Sequence, residues 1–486
     1  MVYRSCLVRV TLKVALGCLL AWWIAPTPAH ADFNVNEVWS QQCARCHGDD
    51  GAGANATSLL DDEWLSDGTD RGLFLATKEG QPDFGMPAYG ETLADEEIWA
   101  LTNHIYELRE RDRKKREPAP TPGADGVIDS QHERYRIETM IEDGLETPWS
   151  VAALPDGRWV VAEKPGRLRV WDGQDLSPPV RGIPDVRDRG QGGLLDIEPH
   201  PDYADNGWLY LSFADPQRVD GQGLGMTKVV RGKITSGRWV DQQTIWEVPE
   251  SQYARGHVHY GCRLVFDGQG YLFIAIGDRG RRDPAQDLAA PEGKVHRVND
   301  DGSIPQDNPF VDTPGAMAST WSYGHRNPQG MVFDPDAGAL WITEHGPRGG
   351  DELNRIDPGA NYGWPIVSHG INYNGRSFVT PWPDEDDPPG MIPPTMRWLP
   401  SIAVCGLDRG DGQAFPGWEG DLFAGGLVGQ VVERLRVRDG RVVEREEIVR
   451  NLGRVRDVVT APDGSIVVVL NGPNKVVRLV PAGAAE

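Results

Sequence analysis

The stretch Trp149-Ser-Val-Ala-Ala-Leu-Pro-Asp-Gly157-Arg-Trp-Val-Val-Ala-Glu163 holds an apolar run, a turn built on Pro-Asp-Gly and a second apolar run rich in β-branched and aromatic residues. That pattern predicts two antiparallel strands joined by a tight turn. The unit returns at Leu194 to Phe213 around Pro201-Asp202, at Arg263 to Gly277 around Asp267-Gly268, and at Gly330 to Glu344 around Pro335-Asp336. A further copy lies at Asp457 to Leu470 around Pro462-Asp463-Gly464, and a degenerate one at Gly406 to Phe423 around Pro416-Gly417. Six copies at long spacings suit four-stranded blades with insertions. The expected fold is therefore mainly β: a six-bladed β-propeller over 128–482, with a sandwich or irregular barrel as the competing architecture.

Working outward from the repeats toward the N-terminus, the composition changes. Pro118-Ala-Pro-Thr-Pro122-Gly123 follows a mixed-charge run and predicts a stiff linker at 114–127. Before it, Ile98, Leu101, Ile105 and Leu108 recur at helical spacing, so the region 32–113 is expected to be a small all-α domain. It carries Cys43-Ala-Arg-Cys46-His47, two thiols spaced to form thioethers with the haem vinyl groups and an imidazole next to them for the iron. Met86, on the Gly/Pro-rich loop Asp83 to Pro87, is the expected sixth ligand; His104, on the long helix, is the weaker rival and is expected to be a helix-packing or surface residue. The segment resembles class I cytochrome c domains, which implies a covalent haem c and electron transfer.

Residues 1–31 read as an export signal: Arg4, Arg9 and Lys13 precede an apolar run and Ala29-His-Ala31. Cleavage there predicts a periplasmic or secreted protein with no transmembrane segment in the mature chain. The net charge of −23 becomes −26 once the three basic residues leave, which excludes nucleic acid as a plausible partner. Cys262 and Cys405 remain outside the haem motif, and either a disulfide or two buried thiols fits an oxidising compartment.

Within this acidic chain, Arg326 lies in Gly324-His-Arg-Asn-Pro-Gln-Gly330, and Arg454 and Arg456 open the last repeat. Guanidinium groups gathered at repeat boundaries predict a multiply anionic ligand at the propeller's central face.

Six motifs then point to one family. Gly190-Gln-Gly-Gly-Leu-Leu195, His259-Tyr-Gly-Cys-Arg-Leu264, Ile276-Gly-Asp-Arg-Gly280, Gly324 to Gly330, His345-Gly-Pro-Arg-Gly-Gly-Asp-Glu352 and Asn361-Tyr-Gly-Trp-Pro365 resemble, in order, the soluble glucose and aldose sugar dehydrogenases that use pyrroloquinoline quinone (PQQ). The resemblance implies that His259 is the general base on the C1 hydroxyl of an aldose and that Asp278 orients it. It implies Gln191, Arg326, Asn327, Arg454 and Arg456 as PQQ contacts, with Trp398 as an aromatic wall. It also implies Ca²⁺ held by the Gly346 and Pro347 carbonyls, with Asp351 nearby.

The sequence departs from the glucose-type pattern at two points: His345 replaces a glutamine, and Phe423 to Gly429 lacks the family's lysine. Both favour the aldose-type branch. The expected activity is sugar oxidation with electrons passed to the chain's own haem and on to a downstream acceptor. A Ca²⁺-dependent lactonase-like hydrolase and a non-catalytic ligand-binding propeller are the alternatives, and both leave the haem unexplained.

Overall fold

The computed structural model describes residues 33–61, 64, 69–219, 222–371 and 390–483; the expected export signal lies outside them. Six antiparallel sheets make the main body. In chain order the blades begin with inner strands Pro148–Ala153, Leu194–Pro199, Leu264–Phe266, Pro328–Asp334, Val404–Arg409 and Arg454–Thr460, and each inner strand contacts the next around a closed ring. The six sequence repeats are the first two strands of these blades. Each blade buries its β-branched face against its neighbour, as Val332, Trp341 and Leu353 of blade 4 do against Val404, Leu422 and Leu435 of blade 5.

The turns follow the sequence chemistry. Gly157 sits at φ 85°, a conformation costly for any residue with a Cβ, while Leu154 donates to the Arg158 carbonyl to close the hairpin at 2.8 Å. The ring closes by exchange between the chain's two ends: Arg134–Ile141, from the N-terminal side, pairs with Lys475–Pro481 in the last blade. No edge is left open at the join.

The N-terminal domain packs its first helical segment against its last helix. Val35, Trp39 and Ala44 of the first meet Ala100, Leu101, Ile105 and Leu108 of the helix Asp95–Arg116. That helix starts with three acids, ends with four bases and so opposes its own dipole favourably; Glu97 reaches back to the Ala94 amide at 3.0 Å. It runs through residue 116, past the expected start of the linker. The mixed-charge run continues the helix because Glu110 pairs with Arg113 at 2.9 Å and Asp112 with Arg116 at 2.8 Å, one turn apart.

The two domains are docked. Asp70 meets Arg397 at 2.6 Å and His369 at 3.5 Å; Glu107 meets Arg348 at 3.0 Å; Lys114 meets Glu447 at 2.7 Å. Ile371, from the propeller, completes the apolar core of the helical domain. Burial alone would raise the Asp70 carboxyl, but Arg397 and His369 hold it well below the usual carboxylate range. Among the described residues, no helix is long and apolar enough to cross a membrane.

Candidate active site and haem-binding segment

At the end of strand Tyr271–Ile276 the chain turns through Gly277 to Asp278, which is fully buried. Its Oδ1 lies 2.6 Å from His259 Nδ1 and also accepts from the Gly280 amide at 2.7 Å; its Oδ2 accepts from Trp364 Nε1 at 2.8 Å. A carboxylate only accepts, so Nδ1 carries the ring proton and Nε2 keeps its lone pair. Burial lowers the His259 pKa from its ordinary 6.5, the Asp278 bond opposes this and nearby Arg326 reinforces it, leaving a neutral imidazole at pH 7. His259 itself sits at φ 51° and Arg279 at φ 55°, left-handed backbone that non-glycine residues adopt where surrounding contacts enforce it.

Other predicted residues gather around this pair. Gln191 Oε1 accepts from the His259 amide at 2.6 Å, and Asn327 Oδ1 from the Gly261 amide at 3.3 Å. Arg326 donates to the carbonyls of His345 and Gly346, each at 2.8 Å, and its own carbonyl accepts from the Asp278 amide at 2.8 Å. Arg456 donates to Gln329 Oε1 at 3.2 Å and Cys405 Sγ at 3.4 Å. Arg454 does not join them: it is exposed at the head of the same strand with no hydrogen bond to these residues, and neither it nor Arg456 has a carboxylate partner among the described residues. His345 is buried with Nε2 lacking a hydrogen-bond partner; burial, Arg456 and Arg326 lower its pKa to about 3. Unneutralised guanidinium and an orphaned polar nitrogen fit an anionic ligand with its own polar atoms.

The proposed cation ligands also converge. Asp351 accepts from the Gly346 amide at 3.2 Å and the Val404 amide at 3.0 Å. The Pro347 carbonyl accepts from the Gly350 amide at 2.9 Å. The Pro347 carbonyl also takes the Ser401 hydroxyl at 3.4 Å, while the Gly346 carbonyl retains a second lone pair, so this turn offers hard oxygen donors of the kind Ca²⁺ requires.

Trp398 does not join them. It lies on the outermost strand of blade 4, fully buried between blades 4 and 5, and donates from Nε1 to Glu433 Oε2 at 2.8 Å. An aromatic wall for a ligand needs a free face, and this indole has none. Cys262 and Cys405 are both buried free thiols, each in its own packing environment, so the disulfide alternative does not hold. The structure also adds residues the motifs left without a role. Trp364 fixes the second oxygen of Asp278; Arg263 is buried in the pore, pairing with Asp196 at 3.0 Å and Asp457 at 2.7 Å and so tying blades 2, 3 and 6 together. Both stand inside motifs legible in the sequence, but the part Arg263 plays depends on the closure of the ring, which brings Asp196 and Asp457 to it.

In the helical domain, the segment Val35 to His47 ends at Gly48, where φ of 78° turns the chain back. The Cys46 carbonyl gathers the amides of Ala54, Asn55 and Ala56 at 2.9–3.0 Å, fixing the motif's loop. Cys43 and Cys46 are free and half-buried, and burial with mutual repulsion pushes the Cys43 pKa up to about 11. His47 Nδ1 is buried without a partner. The Met86 loop is tied to the motif helix where Tyr89 donates to the Gln42 carbonyl at 3.4 Å. Two free thiols, an imidazole with an unpartnered nitrogen and the tethered Met86 loop fit a covalent haem. His104 is buried against Trp39, with ring centroids 5.1 Å apart, and so packs the helices together.

Fold and site define a two-domain redox protein, a six-bladed propeller with a c-type cytochrome docked against it. Residues 145–478 match the family model for glucose/sorbosone dehydrogenase, and residues 34–105 match that for the cbb3-type cytochrome c oxidase subunit III. An aldose sugar dehydrogenase of Escherichia coli (strain K12) is 42% identical over 335 residues, 68% of this chain and 88% of that protein. The apo crystal structure of the soluble aldose sugar dehydrogenase of Escherichia coli superposes with a TM-score of 0.65 at 39% identity, covering 71% of this chain and 99% of the other. The PQQ-bound aldose sugar dehydrogenase of Streptomyces coelicolor gives 0.57 at 25% identity, covering 71% and 98%. The chain belongs to the glucose/sorbosone dehydrogenase family and carries a cytochrome c domain ahead of the propeller.

Proposed function

We propose that this protein is a quinohaemoprotein that oxidises an aldose at its C1 hydroxyl in the periplasm or outside the cell. The observation that carries the reading is the 2.6 Å contact between His259 and buried Asp278. With Nδ1 held by the carboxylate, Nε2 takes the hydroxyl proton, and Asp278 stabilises the imidazolium that results. Gln191 and Asn327 hold the backbone on either side of His259, and so fix where Nε2 stands.

When bound, PQQ supplies the two-electron acceptor for the C1 hydride and the haem a one-electron outlet. Arg326, Arg454, Arg456, Gln191 and Asn327 would hold the quinone's anionic groups. Gly346, Pro347 and Asp351 would hold Ca²⁺. Cys43 and Cys46 would bond the haem, with His47 and Met86 on its iron. A methionine thioether together with a histidine imidazole as ligands would raise the iron potential, which suits an acceptor. The haem would supply a one-electron route to a downstream carrier.

The test is to load the purified protein with PQQ and Ca²⁺, offer a panel of aldoses and an artificial electron acceptor, and follow acceptor reduction. Oxidation of one or more aldoses, dependent on both additions, is expected. Turnover of no sugar while PQQ is bound would contradict the reading.

A further inference from the structure

Residues 346–350, which carry the Gly346 and Pro347 carbonyls, link two strands of blade 4 and belong to neither. The backbone folds back so tightly here that a Cβ on Gly346 would fall 1.7 Å from the Gly350 oxygen. No ladder of hydrogen bonds holds this loop, so the direction of its carbonyls is set by what grips it from outside.

The propeller provides part of that grip: Ser401 Oγ accepts from the Gly349 amide at 2.9 Å, and Asp351 from the Val404 amide at 3.0 Å. The cytochrome provides the rest through Arg348, the residue next to Pro347. One guanidinium nitrogen of Arg348 donates to both oxygens of Glu107, at 3.0 and 3.2 Å. The Arg348 carbonyl accepts from the Ile371 amide at 2.9 Å, and the Ile371 side chain is buried in the cytochrome's apolar core. Asn103, on the same helix as Glu107, donates to the His369 carbonyl at 3.3 Å and fixes the segment that carries Ile371. Side chain and main chain of Arg348 are thus both tied to the other domain. Glu107 is itself well seated, with His104 Nδ1 3.8 Å from its carboxylate and the His104 ring packed on Trp39. An ion pair this far from water holds its geometry, because separating the partners strands a desolvated charge.

Resting on the functional reading above, we propose that Glu107 is a positioning residue for the cation site: through Arg348 it holds the loop on which Gly346 and Pro347 present their carbonyls to Ca²⁺. The cytochrome then does more than accept electrons. It completes the scaffold of the dehydrogenase site, and cation binding and domain docking favour each other by linkage.

The test is calorimetric titration of Ca²⁺ into the full-length haem-loaded protein, stripped of metal and with PQQ present. Glu107→Gln and Arg348→Gln should each weaken the Ca²⁺ Kd by about fivefold or more, the low end of coupling between linked sites. The double variant should bind no more weakly than the worse single one, since both changes break one contact. A field effect alone would split the pair: losing the acid would weaken Ca²⁺ binding and losing the base would tighten it. Tightening in Arg348→Gln, or an unchanged Kd in both single variants while the unmodified protein binds Ca²⁺, would overturn this inference alone. Failure of the unmodified protein to bind Ca²⁺ would instead overturn the reading of the cation site on which it rests.

Discussion

The two domains solve the problem of holding a charged group in opposite ways. In the propeller, ionisable side chains are locked by one another: Asp278 has three donors, and Arg263 has two acids and the face of Trp149 at 4.5 Å. In the cytochrome, the groups that would meet the haem are unengaged, with two free thiols and an unpartnered imidazole nitrogen. The propeller is preorganised before its ligand arrives, whereas the cytochrome motif is completed by covalent attachment. Separate damage to each half should therefore give separable defects.

The largest expected effect breaks the comparison on the cytochrome side. Replacing Cys43 and Cys46 with Ser should remove covalent haem and abolish sugar-dependent haem reduction, while oxidation through an artificial acceptor continues. Absorbance spectra and acceptor assays on the same preparation check this. On the propeller side, His259→Ala should lower kcat by about 10²–10⁴, the usual worth of a general base, with the haem spectrum unchanged.

A smaller effect sharpens the boundary between the halves. Asp70→Asn leaves Arg397 and His369 facing a neutral amide and should weaken docking by about 2 kcal/mol. The expected outcome is slower haem reduction with unchanged artificial-acceptor turnover. Because the Asp70 carboxyl is held low, its contribution to docking is complete above the ordinary carboxylate pKa and fades only as pH falls through the lower folded value. Docking should therefore persist at pH 5, as small-angle scattering at several pH values would show.

The smallest effect is in the pH profile. The lowered His259 pKa keeps the base neutral further into acid, so the acid limb of kcat/KM should fall below 6.5. An inflection above 6.5 would conflict with the buried geometry.

The blades were legible because each begins with a hairpin whose turn residues recur, as at Leu154 to Arg158. The cysteine motif and the His259 region were legible because short-range spacing carries their chemistry. The outer strands were harder to read, and Trp398 was misassigned because burial between blades depends on contacts with strands that follow it, such as the one bearing Glu433. The docked interface was not legible at all. Asp70 and Arg397 are far apart in the chain, and each reads alone as a surface charge.

The central claim is that one molecule oxidises its substrate in the propeller and discharges through its own haem. Anaerobic stopped-flow mixing of PQQ- and Ca²⁺-loaded protein with an oxidisable aldose, without external acceptor, tests it directly. Haem reduction at a rate independent of protein concentration is the predicted result, since the transfer is internal. A rate that rises in proportion to protein concentration, or no haem reduction while an artificial acceptor is still reduced, would contradict it.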